Sequence, residues 1–401
     1  MTDPSPKPEP TNRPSPTIVL PPGVGGLILP GKPSEMSASP ARLAWRRFLK
    51  NRTAMFGGSV LLLMYFISLF GSFFETKDPA ERNYAATNHP PTVPRFMDET
   101  GKFHLRPFVY GMKLADPLRQ RWEFDLSRKY PIKFFVPGFE YKLWWLFPCH
   151  THFAGVDEPG VLALFGTDAV GGDLYNRVIE GAKVSLSIGL AAIGISLSIG
   201  MFMGGIAGYY GGLADGVIMR LAEFLLSIPG LYLIIALRAY FQTKTFLGIG
   251  GSSISSSEMY VIIVIILSGI GWAGQARVIR GMVLSIKEQD FVMAERAMGA
   301  STFRILAVHI LPNTLSYVII SASIAVPGYI LGEVALSFLG VGITPPQVSW
   351  GNLLEAGQNL ASIKDFPWQL FAPSAAIFMT VMAFNFLGDG LRDALDPRHS
   401  K

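Results

Sequence analysis

Six long runs of apolar residues constrain this chain more than any other feature. They cover about 54–74, 184–206, 217–240, 259–279, 314–340 and 367–388. Only 16% of the chain is charged, against about a quarter in soluble proteins. A helix needs about 20 apolar residues to cross a bilayer, and backbone groups in lipid must pair within their own segment. The pattern therefore predicts an all-α polytopic membrane protein with six transmembrane helices.

Basic residues predict which side of the membrane each end faces. Those that precede the first run are Arg42, Arg46, Arg47, Lys50 and Arg52. Positive flanks stay in the cytoplasm, so the N-terminus is predicted inside, and six crossings return the C-terminus to that side. The loop between the fourth and fifth runs is also basic and predicted inside. The basic 75–183 loop exceeds the roughly 60 residues over which this rule holds, so it does not change the prediction.

The segments around the runs divide the chain into five parts. Residues 1–41 are Pro-rich and polar, which predicts a disordered cytoplasmic tail without a cleavable signal peptide. A basic lead-in and the first helix (42–75), a periplasmic insert (76–165), a five-helix core (166–390) and a cytoplasmic tail (391–401) follow. The insert is too apolar for a linker and rich in aromatic residues. We expect it to form a small folded cap of short strands or irregular structure near the headgroups.

Motifs for catalysis and cofactor binding are incomplete. Gly26–Lys32 resembles a phosphate-binding loop, but proline replaces the final Ser or Thr and no strand precedes it. Residues 269–274 fit a dinucleotide pattern but lie inside the fourth run. Cys149, the single cysteine, stands beside His150 and His152 without a fourth metal ligand. We expect no catalysis and no bound metal or cofactor in this chain, and its basic residues form no nucleic-acid patch.

Glycines and prolines predict local geometry inside the runs. Glycines recur every four residues along the second run and form a smooth stripe for close helix packing. These glycines are Gly200, Gly204, Gly208 and Gly212. Pro229 and Pro327 lie inside the third and fifth runs and are expected to kink them. In the third run, Arg220 and Glu223 stand one turn apart, which predicts a structural ion pair.

The segment between the fourth and fifth runs has a local structure of its own. Residues 289–297 favour a helix, Gly299 ends it, and Ser301 is placed to cap a second short helix. Pro312 stands at the start of the fifth run, where its missing N–H costs nothing. The sequence thus predicts a helix–turn–helix on the inner membrane surface, with small alanine side chains that suit a partner's groove.

This segment resembles the conserved cytoplasmic loop of permeases in ATP-binding-cassette (ABC) importers. Ala294, Gly299 and the Leu311–Pro312 pair match, whereas Met293 and Glu295 replace the usual Glu and second Ala. The sequence from His309 to Asn313 is typical of the peptide branch. The resemblance assigns ATPase coupling to Ala294, Glu295, Ala297, Gly299, Ala300, Ser301, His309, Leu311 and Pro312.

Four further blocks resemble the dipeptide/oligopeptide/nickel permeases, in particular their C-type subunit. They start at Gly166, Leu226, Glu333 and Leu387 and occur in the family's order. The resemblance implies the type I ABC importer permease fold, in a bacterial inner membrane, with peptides as cargo. The same framework could carry nickel or oligosaccharides. An ion channel or a membrane enzyme would belong to a different class, and neither polar pore rings nor clustered catalytic residues occur in the runs.

The resemblance also implies partners and candidate pathway residues. A second homologous permease would share the path, and an extracytoplasmic substrate-binding protein would deliver the ligand. Two ABC ATPase subunits, which use ATP and Mg, would push the 288–312 loop. Candidate ligand-side residues are Asp168, Asp173, Glu333 and Trp350. Each acidic residue has a structural alternative: helix capping for the aspartates, and headgroup water or an intersubunit pair for the glutamate.

Overall fold

The computed structural model describes residues 40–144, 146–243 and 254–395. Five of its helices are long and apolar enough to cross a membrane, and a bent pair makes a sixth crossing if it counts as one span. The five are Arg52–Leu69, Leu174–Tyr210, Ser256–Ile286, Thr302–Phe338 and Trp368–Leu395. With the bent pair they agree with the six predicted runs. Residues 1–39 of the tail predicted at 1–41, the phosphate-loop pattern and residues 396–401 lie outside the described residues. Residues 40 and 41, the end of that predicted tail, belong instead to the first helix.

The helices are numbered here in chain order. They are α1 (Pro40–Lys50), α2 (Arg52–Leu69), α3 (Gly71–Phe74), α4 (Leu174–Tyr210), α5 (Gly212–Ser227), α6 (Gly230–Thr243), α7 (Ser256–Ile286), α8 (Asp290–Ala297), α9 (Thr302–Arg304), α10 (Leu315–Phe338), α11 (Trp350–Gly357), α12 (Leu360–Asp365) and α13 (Trp368–Leu395). Short helical turns at Tyr84–Ala86 and between α9 and α10 complete the helical segments. Because α13 continues to Leu395, the helical core extends beyond the boundary predicted at residue 390.

The third span is broken rather than kinked. Helices α5 and α6 meet at an angle of 97° around Pro229, which stands just outside both. Proline lacks an N–H and its ring collides with the preceding turn, so a helix ends before it. Pro327 behaves differently, because α10 continues through it.

The Arg220–Glu223 pair predicted in the third span is present at 3.1 Å and is exposed.

A close contact between α4 and α7 lies at the centre of the bundle. A Cβ added at Gly200 would lie 2.7 Å from the Cβ of Gln275, and one at Gly204 would lie 2.5 Å from the carbonyl oxygen of Ala276. Gly208 similarly faces Val283. Three of the four predicted glycines therefore let the two backbones touch. Gly212 does not belong to this face: it has φ +55° at the turn into α5, and nothing lies within 4 Å of its added Cβ.

The insert folds into two antiparallel sheets. One contains β1 (Arg95–Met97), β2 (Phe103–Asp116) and β3 (Arg121–Pro131), and the other pairs β4 (Lys133–Leu143) with β5 (Phe147–Gly155). Four of these strands are 9 to 14 residues long, which is longer than the short strands predicted. The Cys149–His152 run lies on β5. Buried Val109, Ile132 and Leu162 form a small core beside the first sheet.

The α4–α7 contact generates a first prediction. Gly204→Val introduces a branched side chain where the α7 backbone leaves no room. Overpacking of this kind costs about 1–3 kcal/mol, so we expect a lower melting temperature and less monodisperse protein after detergent extraction. Gly194→Val is the matched control, because it lies on the same helix with nothing within 4 Å of its added Cβ. Equal melting temperatures for the two variants would contradict the assignment.

Candidate coupling loop and pathway residues

Residues 288–312 form two short helical segments joined by a tight turn. Helix α8 ends in a Schellman motif, in which the Ala300 N–H donates to the Glu295 carbonyl and the Gly299 N–H donates to the Arg296 carbonyl. Gly299 has φ +79°, a conformation that L side chains rarely adopt. The Ser301 hydroxyl then caps the next segment by accepting from the Arg304 N–H, as predicted.

The second segment is not a separate helix. From Thr302 it passes through a π-helical stretch at Ile305–Ile310 and a 3₁₀ turn at Leu311–Thr314, and then continues as α10. Pro312 is the second residue of that turn and has no N–H to donate, and the Asn313 side-chain amide beside it donates to the His309 carbonyl at 2.6 Å. The 288–312 segment therefore differs from the predicted helix–turn–helix, because its second half is the first part of the fifth span.

Several contacts fix α8 to the spans. Val292 is fully buried in the main apolar core. The Lys287 ammonium donates to the carbonyl of Gly208 at 3.1 Å, near the end of α4, and the Arg296 guanidinium lies over the Tyr209 ring. Glu295, where the family usually has alanine, lies 3.5 Å from Nε2 of His309. Glu295, which differs from the family pattern, thus makes a contact between the two halves of the loop.

The loop also exposes large apolar side chains that the sequence analysis did not select. Met298 is 73% and Phe303 79% exposed, and Phe291 and Met293 are exposed as well. Ala294 and Ala297 lie exposed on α8 between them. Exposed apolar patches mark surfaces that bind another protein or a membrane. The positions of these apolar residues on both sides of Gly299 were the sequence signal from which this surface could have been predicted.

Glu333 lies in a completely buried polar junction. Its carboxylate accepts hydrogen bonds from the Ser185 hydroxyl of α4 at 2.9 Å and the Ser337 hydroxyl one turn further along α10 at 2.7 Å. The hydroxyl of Ser349, just before α11, also bonds to it. Each described partner of the carboxylate is a hydroxyl group. The side chain therefore faces neither headgroup water nor an open path within this chain.

Trp350 belongs to the same junction. Its indole N–H donates to the Val178 carbonyl at 3.0 Å, and its backbone N–H donates to Ser185. The side chain is fully buried and packs beside Gly181. The two candidate pathway residues Glu333 and Trp350 thus meet around Ser185, where they join α4, α10 and α11.

The two candidate aspartates shape the entrance to α4. Asp168 accepts from the backbone N–H groups of Val170 and Gly172 and forms an ion pair with Arg177. Asp173 is the N-cap of α4 and accepts from the N–H groups of Tyr175 and Asn176. Burial raises the pKa of Asp173 to about 7, although those two N–H groups favour its charged form. Helix capping, the alternative given to direct ligand contact, describes the geometry of Asp173. Asp168 instead holds the loop before α4 together through the Val170 and Gly172 N–H groups and Arg177.

Other buried or half-buried ion pairs were not predicted. Arg280 of α7 binds Asp215 of α5 through two nitrogen–oxygen contacts, one of 2.6 Å. Lys183 of α4 lies 3.1 Å from Glu75 at the end of α3. Burial raises the pKa of Glu75 to about 7, and the Lys183 charge acts in the opposite direction.

Among the described residues, no group of three His, Cys, Asp or Glu side chains is arranged to hold a metal.

The arrangement defines a class of protein: a polytopic membrane protein with an exposed loop between its fourth and fifth spans. Comparison with known proteins identifies the family. Residues 197–401 match the binding-protein-dependent transport system inner membrane component, and residues 39–91 match the N-terminal TM domain of oligopeptide transport permease C. The chain belongs to the family of binding-protein-dependent permeases and is an integral inner-membrane protein.

Individual relatives carry related names. The dipeptide transport system permease protein DppC of Bacillus subtilis (strain 168) is 32% identical over 88% of this chain and 85% of its own length. The oligopeptide transport system permease protein OppC of the same organism is 38% identical over 59% of this chain and 72% of its own length. A chain of the inward-facing MetNI methionine ABC transporter is similar at 19% identity and a TM-score of 0.41, over 55% of this chain and 96% of that one.

Substitutions at Asp173 distinguish capping from ligand contact. Asn caps helices as well as Asp does, whereas replacing an N-cap by Ala costs about 0.5–2 kcal/mol. We expect Asp173→Asn to keep both stability and substrate uptake, and Asp173→Ala to lower the melting temperature. Uptake lost in a stable Asp173→Asn variant would instead indicate that the carboxylate contacts the ligand.

The Glu333 junction gives a second stability prediction. Glu333→Leu leaves the Ser185 and Ser337 hydroxyls buried without their acceptor, at a cost of about 1–3 kcal/mol. Glu333→Gln retains an acceptor oxygen and should cost less. The control is Glu223→Leu, since an exposed pair such as Arg220–Glu223 contributes about 0–1 kcal/mol. Thermal unfolding of the purified variants checks this order, and an unchanged Glu333→Leu midpoint would contradict it.

Proposed function

We propose that this chain is the permease subunit of an ATP-driven peptide importer. The names of its relatives, oligopeptide and dipeptide permeases, support peptides as the cargo. In this proposal a second homologous permease completes the path, an extracytoplasmic binding protein delivers the peptide, and two ABC ATPases bind on the cytoplasmic side. ATP and Mg belong to the ATPases, so this subunit performs no catalysis.

The observation that carries the proposal is the apolar surface of the 288–312 segment, which we call the coupling loop. Met298 and Phe303 project from a turn that is anchored to three spans, so a partner that grips them moves those spans together. Basic residues at Lys287 and Arg304 favour the cytoplasmic side for this loop. The N-terminus then lies on the same side, and the insert lies outside.

The anchors of the coupling loop determine how motion would be transmitted. Lys287 connects the loop to α4, Val292 fixes α8 in the core, and the segment from Thr302 is continuous with the fifth span. Closure of the ATPases would therefore displace α4, α7 and α10 as one body. The broken third span, α5 and α6, is joined to this body by the Arg280–Asp215 pair.

Substitution of exposed loop residues tests the coupling. Phe303→Asp places a charge on the proposed apolar contact without disturbing a buried group. We expect the ATPase subunits to bind at least tenfold more weakly, which corresponds to about 1.4 kcal/mol, and ATP-driven peptide uptake in proteoliposomes to be lost. Met298→Asp should act in the same direction. Gly299→Asp is less informative, because its φ of +79° strains the loop with or without a partner.

The control makes the same chemical change elsewhere. Leu118→Asp alters a 97% exposed side chain in the turn between β2 and β3, and it should affect neither ATPase binding nor uptake. Copurification of the ATPases and uptake of a radiolabelled peptide are measured for all variants. Unchanged copurification and uptake in both Phe303→Asp and Met298→Asp would overturn the assignment of this loop.

A further inference from the structure

The β4–β5 hairpin of the insert lies against the end of the first span. Phe153 of β5 packs on Phe73 and Phe74, with ring centroids 6.1 and 5.7 Å apart. At the other end of the hairpin, Trp144 packs on Phe70 at 5.3 Å. The hairpin and the helix end therefore touch at two places, and a crevice lies between them.

The level of this contact in the membrane follows from the length of the first span. Helix α2 has 18 residues, so it is about 27 Å long at 1.5 Å per residue, close to the roughly 30 Å of hydrocarbon. Phe70 directly follows its last residue. Trp144, in contact with Phe70, must lie at the boundary between hydrocarbon and headgroups, where tryptophan is enriched.

The hairpin tip exposes apolar side chains at this level. Leu146 is 74% exposed and Phe147 57%, and Trp144 is also exposed. Three exposed apolar side chains at one hairpin turn would be unfavourable in water and would favour association with other molecules. Beside a membrane span they can enter the same bilayer that covers the exposed side chains of α2.

The crevice itself has a volume of about 550 Å³, within the range of small-molecule pockets. Phe66, Phe70 and Phe74 line one wall, and Tyr141 and Leu143 line the other. Alternation along β4 turns these two residues inward, while Lys142 between them is exposed. The lining is mostly apolar, and Phe66 lies within the span itself, so the crevice opens to the hydrocarbon.

We propose that this crevice holds a phospholipid acyl chain from the leaflet at the Phe70 end of the first span, and that the hairpin tip is inserted in the same leaflet. The occupant is a lipid because the crevice is continuous with the lipid-facing surface of α2. The hairpin would thus hold the insert on the membrane. The proposal depends only on the membrane insertion of the first span, not on the cargo or the ATPase contact.

The chain provides its own probe for this proposal. Cys149 is its single cysteine, it is half-buried, and it lines the crevice. A spin label on Cys149 is studied in the whole transporter, with cysteine-free partner subunits, in nanodiscs of phosphatidylethanolamine and phosphatidylglycerol. Power saturation then compares collisions with oxygen, which concentrates in lipid, and with a water-soluble nickel chelate.

Three control labels, each in a Cys149→Ser background, calibrate the result. Leu62→Cys, 76% exposed in the middle of α2, reports lipid, and Leu118→Cys reports water. Leu146→Cys reports the hairpin tip independently of the crevice. We expect the oxygen-to-nickel ratios at Cys149 and Leu146→Cys to lie near that of Leu62→Cys and several-fold above that of Leu118→Cys.

Either of two results at Cys149 would overturn the proposal. A ratio equal to that of Leu118→Cys would mean that water fills the crevice. A label protected from both reagents would mean that protein occupies it. A water-like ratio at Leu146→Cys would separately exclude insertion of the tip. Peptide uptake by the unlabelled transporter, measured in parallel, distinguishes these outcomes from a failure of the proposed transport function.

Discussion

The close approach of α4 and α7 is the interaction on which the other parts of the core depend. In a membrane, the hydrophobic effect does not drive helices together, so their association depends on packing and on polar contacts. Gly200, Gly204 and Gly208 bring the α4 backbone against α7. Both helices are longer than the bilayer requires, so the C-terminal ends of both α4 and α7 reach the coupling loop, and Lys287 fixes the loop to α4 at Gly208.

Polar contacts add specificity to this packing. At one end of the bundle, hydroxyl groups from α4, α10 and the start of α11 satisfy the Glu333 carboxylate. At the other, Arg280 joins α7 to α5 through Asp215. A buried polar group with all its partners present is stable in only one arrangement, because displacing a helix by one turn leaves it unsatisfied. The fully buried Glu333 junction therefore fixes the register of α4 and α10, and the half-buried Arg280–Asp215 pair adds a weaker constraint between α7 and α5.

The sequence predicted the parts of the fold that depend on local chemistry. The length of each apolar run predicts a span, because the bilayer thickness sets the length that a spanning helix needs. The Ser301 cap and the Gly299 turn follow from side-chain and backbone preferences. Contacts between distant segments could not be predicted in this way. Glu333 was selected as unusual, but only its partner Ser337 is local, one turn along α10. Ser185 comes from α4, and Ser349 lies beyond the end of α10. Gly212 fitted the four-residue spacing, yet the chain turns at Gly211 before the stripe reaches it.

Under the proposed function, the position of Glu295 determines how the coupling loop would transmit motion. Where the family usually has a small alanine, Glu295 lies beside His309, at the start of the helix that becomes the fifth span. The contact joins the two halves of the loop across the Gly299 turn, the point at which a load applied to α8 would otherwise bend the chain. In the proposed transporter, the Schellman turn and this 3.5 Å contact would help the loop to pass a displacement on to the spans. The exposed surface at Met298 and Phe303 remains available to a partner, because Glu295 and His309 are both half-buried and face each other.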